Sequence, residues 1–245
     1  MRIFVAGATG VIGRRLVPLL RAEGHEVTGL ARSAAADAVL RGLGAEVAAA
    51  DVFDAPALLA VMIAARPEVV VHQLTALPDL LDPDHMAEAL GANARIRSEG
   101  TRHLVAAARA AGARRLVAQS IAWAYAEGPL PHTEDHPLED SAPGLRGVTL
   151  EGVRTLERQV LEASALEGVV LRYGTFYGSD TYHAVAAGMA TVHVDAAARA
   201  AVLAVARGGP GIYNVTDDGG SAANAKARVF LGWDPAFRLP REERP

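Results

Sequence analysis

Gly7-Ala8-Thr9-Gly10-Val11-Ile12-Gly13 follows the apolar run Arg2-Ile3-Phe4-Val5-Ala6 and opens an amphipathic segment with Ile12, Leu16, Leu19 and Leu20 on one face. Strand, glycine turn and helix in that order are what a dinucleotide pyrophosphate requires. The turn brings backbone N–H groups and the positive end of a helix to the phosphates. A side chain at a glycine position would block the turn, the close approach of the backbone, or the packing of helix on strand. The spacing is G-x-x-G-x-x-G, distinct from the dehydrogenase pattern G-x-G-x-x-G. The backbone of Gly7, Thr9, Gly10, Val11, Ile12 and Gly13 is the expected phosphate cradle.

Outward from this loop, apolar runs alternate with helical ones. The pattern predicts strands at 3–6, 26–30, 46–49, 69–72, 115–118, 169–172 and 211–215, and helices at 11–23, 56–65, 84–111, 150–165 and 196–207. Gly24 and Gly112 stand where helix C-caps belong. Short, continuously apolar strands alternating with helices predict an α/β fold, a Rossmann-type doubly wound parallel sheet. The dinucleotide-binding domain is placed at 1–170. A small C-terminal substrate lobe, interleaved with the last strands, is placed at 171–245. Ligands then bind beyond the carboxyl ends of the strands. Segment 127–147, rich in proline and acids, is a functional flap or a solvated loop, with His132 and His136 as solvated side chains.

The chain has 245 residues, of which 51% are apolar, enough for a sizeable core. A net charge of -4 offers nothing to nucleic acid or to an anionic membrane. The absence of cysteine excludes disulfides, thiol catalysis and cysteine zinc sites. There is no H-E-x-x-H and no G-x-S-x-G, so neither a zinc nor a serine hydrolase is indicated, and no metal is expected. No apolar run reaches the roughly 18 residues of a membrane span, and the N-terminus reads as a strand. These features predict a soluble cytoplasmic protein, monomer or homodimer, acting on a small molecule.

NAD sites place an acid at the end of the second strand to hold the ribose hydroxyls. Here that end reads Gly29-Leu30-Ala31-Arg32-Ser33. Arg32 and Ser33 suit a ribose 2′-phosphate through charge-assisted hydrogen bonds, with Arg14 flanking it. NADP(H) is the expected cofactor, and NAD(H) the alternative. Asp51-Val52, after the third strand, would lie beside the adenine.

With these residues the chain resembles the extended short-chain dehydrogenase/reductase superfamily, in its epimerase/dehydratase-like branch, over most of its length. The resemblance implies that Leu74, Thr75 and Ala76 lie beside the nicotinamide ribose. It implies that Asn93, on the helix ending in Glu99-Gly100-Thr101, supports the active site. Leu171-Arg172-Tyr173-Gly174-Thr175-Phe176-Tyr177-Gly178 is similar to the family segment under the nicotinamide, which assigns Tyr173, Gly174, Thr175 and Phe176 to the cofactor and Tyr177 to the pocket floor. His193-Val194-Asp195 and Gly211-Ile212-Tyr213-Asn214-Val215 resemble later family landmarks.

The departures bear on chemistry. Family enzymes use Tyr-x-x-x-Lys for proton transfer and a Ser or Thr to polarise the substrate oxygen. Aligned through Glu157, the tyrosine place holds Thr149 and the lysine place Val153, and Lys226 is the sole lysine. Set by Tyr125, the Ser/Thr place is Ile121, with Ser120 one residue early. Ser120, Tyr125 and Thr149 are the remaining catalytic candidates, and Trp123 and Tyr177 the substrate contacts. Each has a structural reading too: strand cap, core filling or helix packing. The stretches after Gly178 and after Gly220 are shorter than in the family, so pieces of the substrate lobe are trimmed or absent. A positioned proton donor is worth about 10²–10⁴-fold, so its loss slows a reductase without forbidding it. The expected activity is NADPH-dependent reduction of an aromatic polyketide-like ketone, as in the aromatic-polyketide tailoring ketoreductases of antibiotic biosynthesis, with the proton from substrate or water. The alternative is a non-catalytic NADP(H)-binding sensor. Epimerases and dehydratases need a base that this chain lacks.

Overall fold

The computed structural model describes residues 1–77 and 83–240. Seven parallel strands form the central sheet: β1 (Arg2–Ala6), β2 (Glu26–Ala31), β3 (Glu46–Ala49), β4 (Val69–His72), β5 (Arg115–Ile121), β6 (Glu167–Tyr173) and, after two short strands described below, β9 (Gly211–Val215). Their order is β3-β2-β1-β4-β5-β6-β9. Ile3 pairs with Val27 on one side and Val69 on the other, so β1 sits centrally and delivers the glycine loop to the middle of the sheet edge. Every residue of Val69–His72 is buried, as a strand covered on both faces must be.

Helices α1 (Gly13–Ala22) and α2 (Ala34–Gly42) cover one face, with α7 (Val194–Ala204); α3 (Ala55–Ala65), α5 (Thr101–Ala110) and α6 (Gly144–Leu161) cover the other. In α1, Leu16 and Leu20 are wholly buried against Val5 and Val27, each worth roughly 1.5–3 kcal/mol of apolar transfer. Helix α4 (Pro83–Arg95) runs into α5 through a π-helical turn, Ile96–Gly100, where the sequence pattern predicts one uninterrupted helix.

Three differences from the sequence expectation have local causes. Helix α2 is unanticipated because its short run Ala34–Gly42 buries one large side chain, Leu40; Ser33 nevertheless caps it, accepting from Ala36 N–H at 3.2 Å. Helix α6 starts at Gly144 instead of 150 because its first turn exposes Leu145 and Val148, which hides the period. It stops at Leu161, short of the predicted 165. Segment 127–147 is largely exposed, as a solvated loop would be, but is anchored at His132, whose side chain is not solvated. His132 exchanges backbone hydrogen bonds with Ser221 and Ala223, and its ring is buried, stacked on Tyr125 at 5.0 Å with His136 edge-on at 5.1 Å.

The C-terminal segment after β6 holds β7 (Thr175–Tyr177) paired with β8 (Thr191–His193), α7, and a second π-helical turn, Ala227–Leu231. Its strand β9 belongs to the main sheet. Arg15 of α1 holds it in place, donating to Asp195 (2.9 Å), Ser179 O (2.8 Å) and Asp180 (3.1 Å) while also binding Val11 O. Among the described residues no helix is long and apolar enough to cross a membrane.

Candidate active site

The glycine loop turns tightly over β4. Gly7 adopts φ +91°, and a Cβ there would stand 2.5 Å from the Gln73 carbonyl carbon. A Cβ on Gly13 would overlap Gly7 O and the Ala8 backbone. Both positions admit glycine alone. Among the described residues nothing accepts from the N–H groups of Val11 or Ile12, which precede α1. Helix α1 has no acidic residue in its first turn and no side-chain cap, so its positive end faces the loop uncompensated. This cradle fits a pyrophosphate. Arg14, expected beside the 2′-phosphate, braces the loop by donating through Nε to Thr9 O at 2.8 Å.

A cleft of about 250 Å³ runs from this loop along the ends of β2, β3 and β4. Gly7, Thr9 and Gly10 bound it on one side, Arg32 and Ser33 at one end, and Leu74 and Thr75 at the other. Arg32 is exposed and has no ion-pair partner among the described residues. Ser33 keeps its hydroxyl proton free to donate while its oxygen caps α2. Val52 and Phe53 form the adenine-side wall; Asp51 stabilises the turn by accepting from Phe53 N–H at 2.8 Å. Phe53 (under the Arg95 guanidinium at 3.9 Å) and Gln73 also border the site and were not predicted. Gln73 is buried with both side-chain amide atoms unpartnered.

At the reacting end, two amides fix the backbone after β4. Asn93 Oδ1 accepts from Ala76 N–H at 3.2 Å, and Gln119 donates to Leu74 O at 3.1 Å. Tyr173 is buried against Phe176, ring centroids 5.4 Å apart, and its phenol is pushed above its usual range by burial. Gly174 lies so close to Thr191 that a Cβ would stand 2.6 Å from its carbonyl carbon, which aligns Thr175 with β8. Tyr177 is half-buried, edge-on to His193 at 5.1 Å, and its hydroxyl accepts from Arg238 at 3.2 Å. Trp123 is exposed, with the Arg146 guanidinium 5.8 Å from its ring centre, and does not line the cleft.

The proton-transfer candidates have other partners. Ser120 donates to Glu157 at 2.6 Å, and Glu157 also accepts from Arg172 Nε (2.9 Å) and Nη2 (2.7 Å). Tyr125 donates to Asn214 at 2.7 Å and faces the Arg172 guanidinium at 4.9 Å; burial raises its phenol above the ordinary value. Thr149 is buried on α6, and Val153, one turn on, is buried as well. Half-buried Ile121 occupies the polarising position. His72, at the end of β4, is wholly buried and accepts from Leu74 N–H through Nδ1 (3.3 Å), so its Nε2 donates to Thr101 (3.0 Å). Burial, aided by the charge of Arg97, pushes it down to about 4, and it is neutral at physiological pH.

The model of the NAD dependent epimerase/dehydratase family matches residues 3–191. A 3-diazoavenalumate denitrifying reductase of a Streptomyces species is 49% identical over 239 aligned positions, covering 89% of this chain and 76% of that protein. A dTDP-4-dehydrorhamnose reductase of Streptomyces griseus is 32% identical over 266 positions, covering 98% of this chain and 79% of its own. That alignment is longer than this chain, so the relative carries inserted segments. Among solved structures, UDP-glucose 4-epimerase of Thermotoga maritima with UDP-glucose superposes with TM-score 0.76 at 19% identity, covering 97% of this chain and 94% of that one. The Thermus thermophilus UDP-glucose 4-epimerase complex with NAD also gives 0.76, at 20% identity and 98% and 95% coverage. At that identity the two structures establish the fold. With the glycine cradle, the strand order and the family match in agreement, the chain belongs to the NAD dependent epimerase/dehydratase family, as an NAD(P)-dependent oxidoreductase.

Proposed function

We propose that this protein is an NADPH-dependent reductase that delivers hydride to an aromatic electrophile without a protein proton donor, and that the electrophile is an arenediazonium group. One observation carries the reading: the Tyr/Lys places are Thr149 and Val153, while the hydroxyls of Ser120 and Tyr125 are spent on Glu157 and Asn214. A ketone reduced by hydride becomes an alkoxide and needs a proton. An arenediazonium does not: Ar–N₂⁺ plus hydride gives Ar–H and N₂, the C–N bond breaking as nitrogen leaves with its electron pair. The 49%-identical relative named for denitrifying reduction of a diazo compound supports this substrate class.

The bound nicotinamide would supply the hydride. The chain's part is to hold and to shield. Val11 and Ile12 N–H groups and the α1 terminus take the pyrophosphate, Arg32 and Ser33 the 2′-phosphate, and the Asn93-braced backbone at Leu74–Ala76 the nicotinamide side. Trp123 and Tyr177 offer flat surfaces to an arene. An aromatic ketone beside a phenol, which brings its own proton, meets the same demand and is the competing substrate. The test is to give the protein NADPH with a ring-hydroxylated arenediazonium or with a panel of polycyclic aromatic ketones, following the nicotinamide absorbance band and nitrogen release. Diazonium-dependent loss of the band with matching nitrogen supports the proposal. Turnover of ketones alone replaces the diazonium by the ketone, and turnover of neither refutes both.

A further inference from the structure

Arg97 lies on the π-helical turn Ile96–Gly100, one residue from Ile96, which lines the cofactor cleft. It is buried, 8% exposed, yet forms no hydrogen bond or ion pair with any described residue. Unlike Nη1 of Arg172, none of its nitrogens is sealed from solvent. Its aliphatic stem packs on α6: a Cβ on Gly152 would stand 3.4 Å from Arg97 Cδ. Gly152 directly precedes Val153, the vacated lysine place. Glu157, the acid whose charge acts on it, already accepts three hydrogen bonds from Ser120 and Arg172. Burial pushes the guanidinium down to about 10, with Glu157 offsetting only part of that, so it remains charged at neutral pH. An unpaired buried cation is costly to folding. π-Helical turns of this kind concentrate at functional sites.

We propose that Arg97 is the anion-receiving group at the reacting end of the cleft, binding an ionised oxygen of the substrate from beside the vacated lysine place. This rests on the reading of the substrate as an oxygenated arene. A ribose hydroxyl of the cofactor would accept a hydrogen bond but would leave the charge uncompensated; an oxyanion satisfies both needs. For a hydroxylated arenediazonium the consequence is electronic. Phenolate charge donated into the ring quenches the electrophile, and a guanidinium that holds the charge on oxygen preserves it.

The test uses the NADP⁺-loaded protein and two unreactive probes, 4-nitrophenolate and its uncharged ether 4-nitroanisole. The wild type should bind the phenolate about tenfold or more tightly than the ether, the range of a hydrogen bond to a charged group. Arg97→Met and Arg97→Gln should abolish the difference, Arg97→Lys should keep part of it, and NADP⁺ affinity should stay within about twofold in all three. The Arg97→Met melting temperature should rise by a few degrees, since an unpaired buried charge is removed. Weakened NADP⁺ binding would assign Arg97 to the ribose and overturn the proposal. So would a lowered melting temperature, equal affinity for both probes in the wild type, or no binding of either. If the probe pattern holds while no diazonium is reduced, the substrate reading fails and the anion site stands.

Discussion

Replacing Glu157 by alanine should destabilise the fold by about 3–5 kcal/mol, the range for breaking a buried ion pair by removing one partner. The side chains of Glu157 and Arg172 are only 6% and 4% exposed. Glu157 accepts two hydrogen bonds from Arg172 and one from Ser120, and so ties the three elements β5, β6 and α6 together. Burial pulls the Arg172 guanidinium down, but the hydrogen bonds and charge of Glu157 outweigh it and hold it above its usual value. Without the carboxylate, Nε and Nη2 join Nη1 in having no partner, and the Tyr125 ring face is the one compensation left. A domain of this kind has about 5–15 kcal/mol in total, so the loss is a large fraction of it. The assay is equilibrium unfolding in urea, read as a fall in midpoint at unchanged slope. The double variant Glu157→Leu/Arg172→Leu should recover most of the loss, because it removes both charges together. A Glu157→Ala loss under about 1 kcal/mol, or a double variant no better than the single one, would refute the assignment of this trio as a structural unit.

The same trio predicts that Ser120→Ala loses about 1.5–3 kcal/mol of stability, the worth of a hydrogen bond to a charge, and leaves turnover within a few-fold. A loss on the scale of a catalytic donor, about 10²–10⁴-fold, would return Ser120 to the chemistry. Arg32→Ala should raise the Kd for NADPH about tenfold and leave NADH unchanged, measured by nicotinamide fluorescence. An unchanged preference would detach Arg32 from the 2′-phosphate. His72 titrates near 4 when folded against 6.5 when unfolded, so on acidification the unfolded chain takes the proton first. Stability then rises with pH between about 4 and 6.5 and is lost as pH falls through that window, by about 3 kcal/mol from this group. His72→Gln should flatten that slope in unfolding experiments at several pH values, and an unaltered slope would contradict the burial argument.

How legible each part was depends on how far apart its cause lies in the chain. The phosphate cradle is local: glycine identity at positions 7 and 13 records a positive φ and a contact with backbone, so seven residues suffice. The doubly wound parallel sheet followed from alternation because parallel strands buried on both faces read as apolar runs; the strand order came only with the packed fold. Helix α2 left one sign, the Ser33 cap, which the alanines after it obscured. Ser120 could be read as catalytic or structural until its partners were placed, 37 residues away at Glu157 and on the neighbouring strand at Arg172. Phe53 and Arg97 carry no motif, and Gln73 stands inside the fourth-strand stretch with nothing to single it out. Phe53 and Gln73 border the cleft because separate segments converge there, and Arg97 follows Ile96, which lines it; only the packed fold reveals this.

The absent relay makes a further demand that kinetics can meet. Burial holds three groups placed at that end away from neutrality: His72 falls near 4, and Tyr125 and Tyr173 are lifted above the usual phenol range. If the electrophile accepts hydride without a concurrent proton, single-turnover rates should be flat from about pH 6 to 9, since a bell shape reports an essential acid and base. NADPH deuterated at the transferring position should then slow the step, and deuterated water should not. A reductase that must protonate an alkoxide in flight shows both effects, and its rate falls as the donor ionises. A solvent isotope effect as large as that of the cofactor, or a rate that declines along a single alkaline limb, would mean that a proton moves in the transition state. Tyr125, whose hydroxyl now donates to Asn214, would be the first side chain to replace.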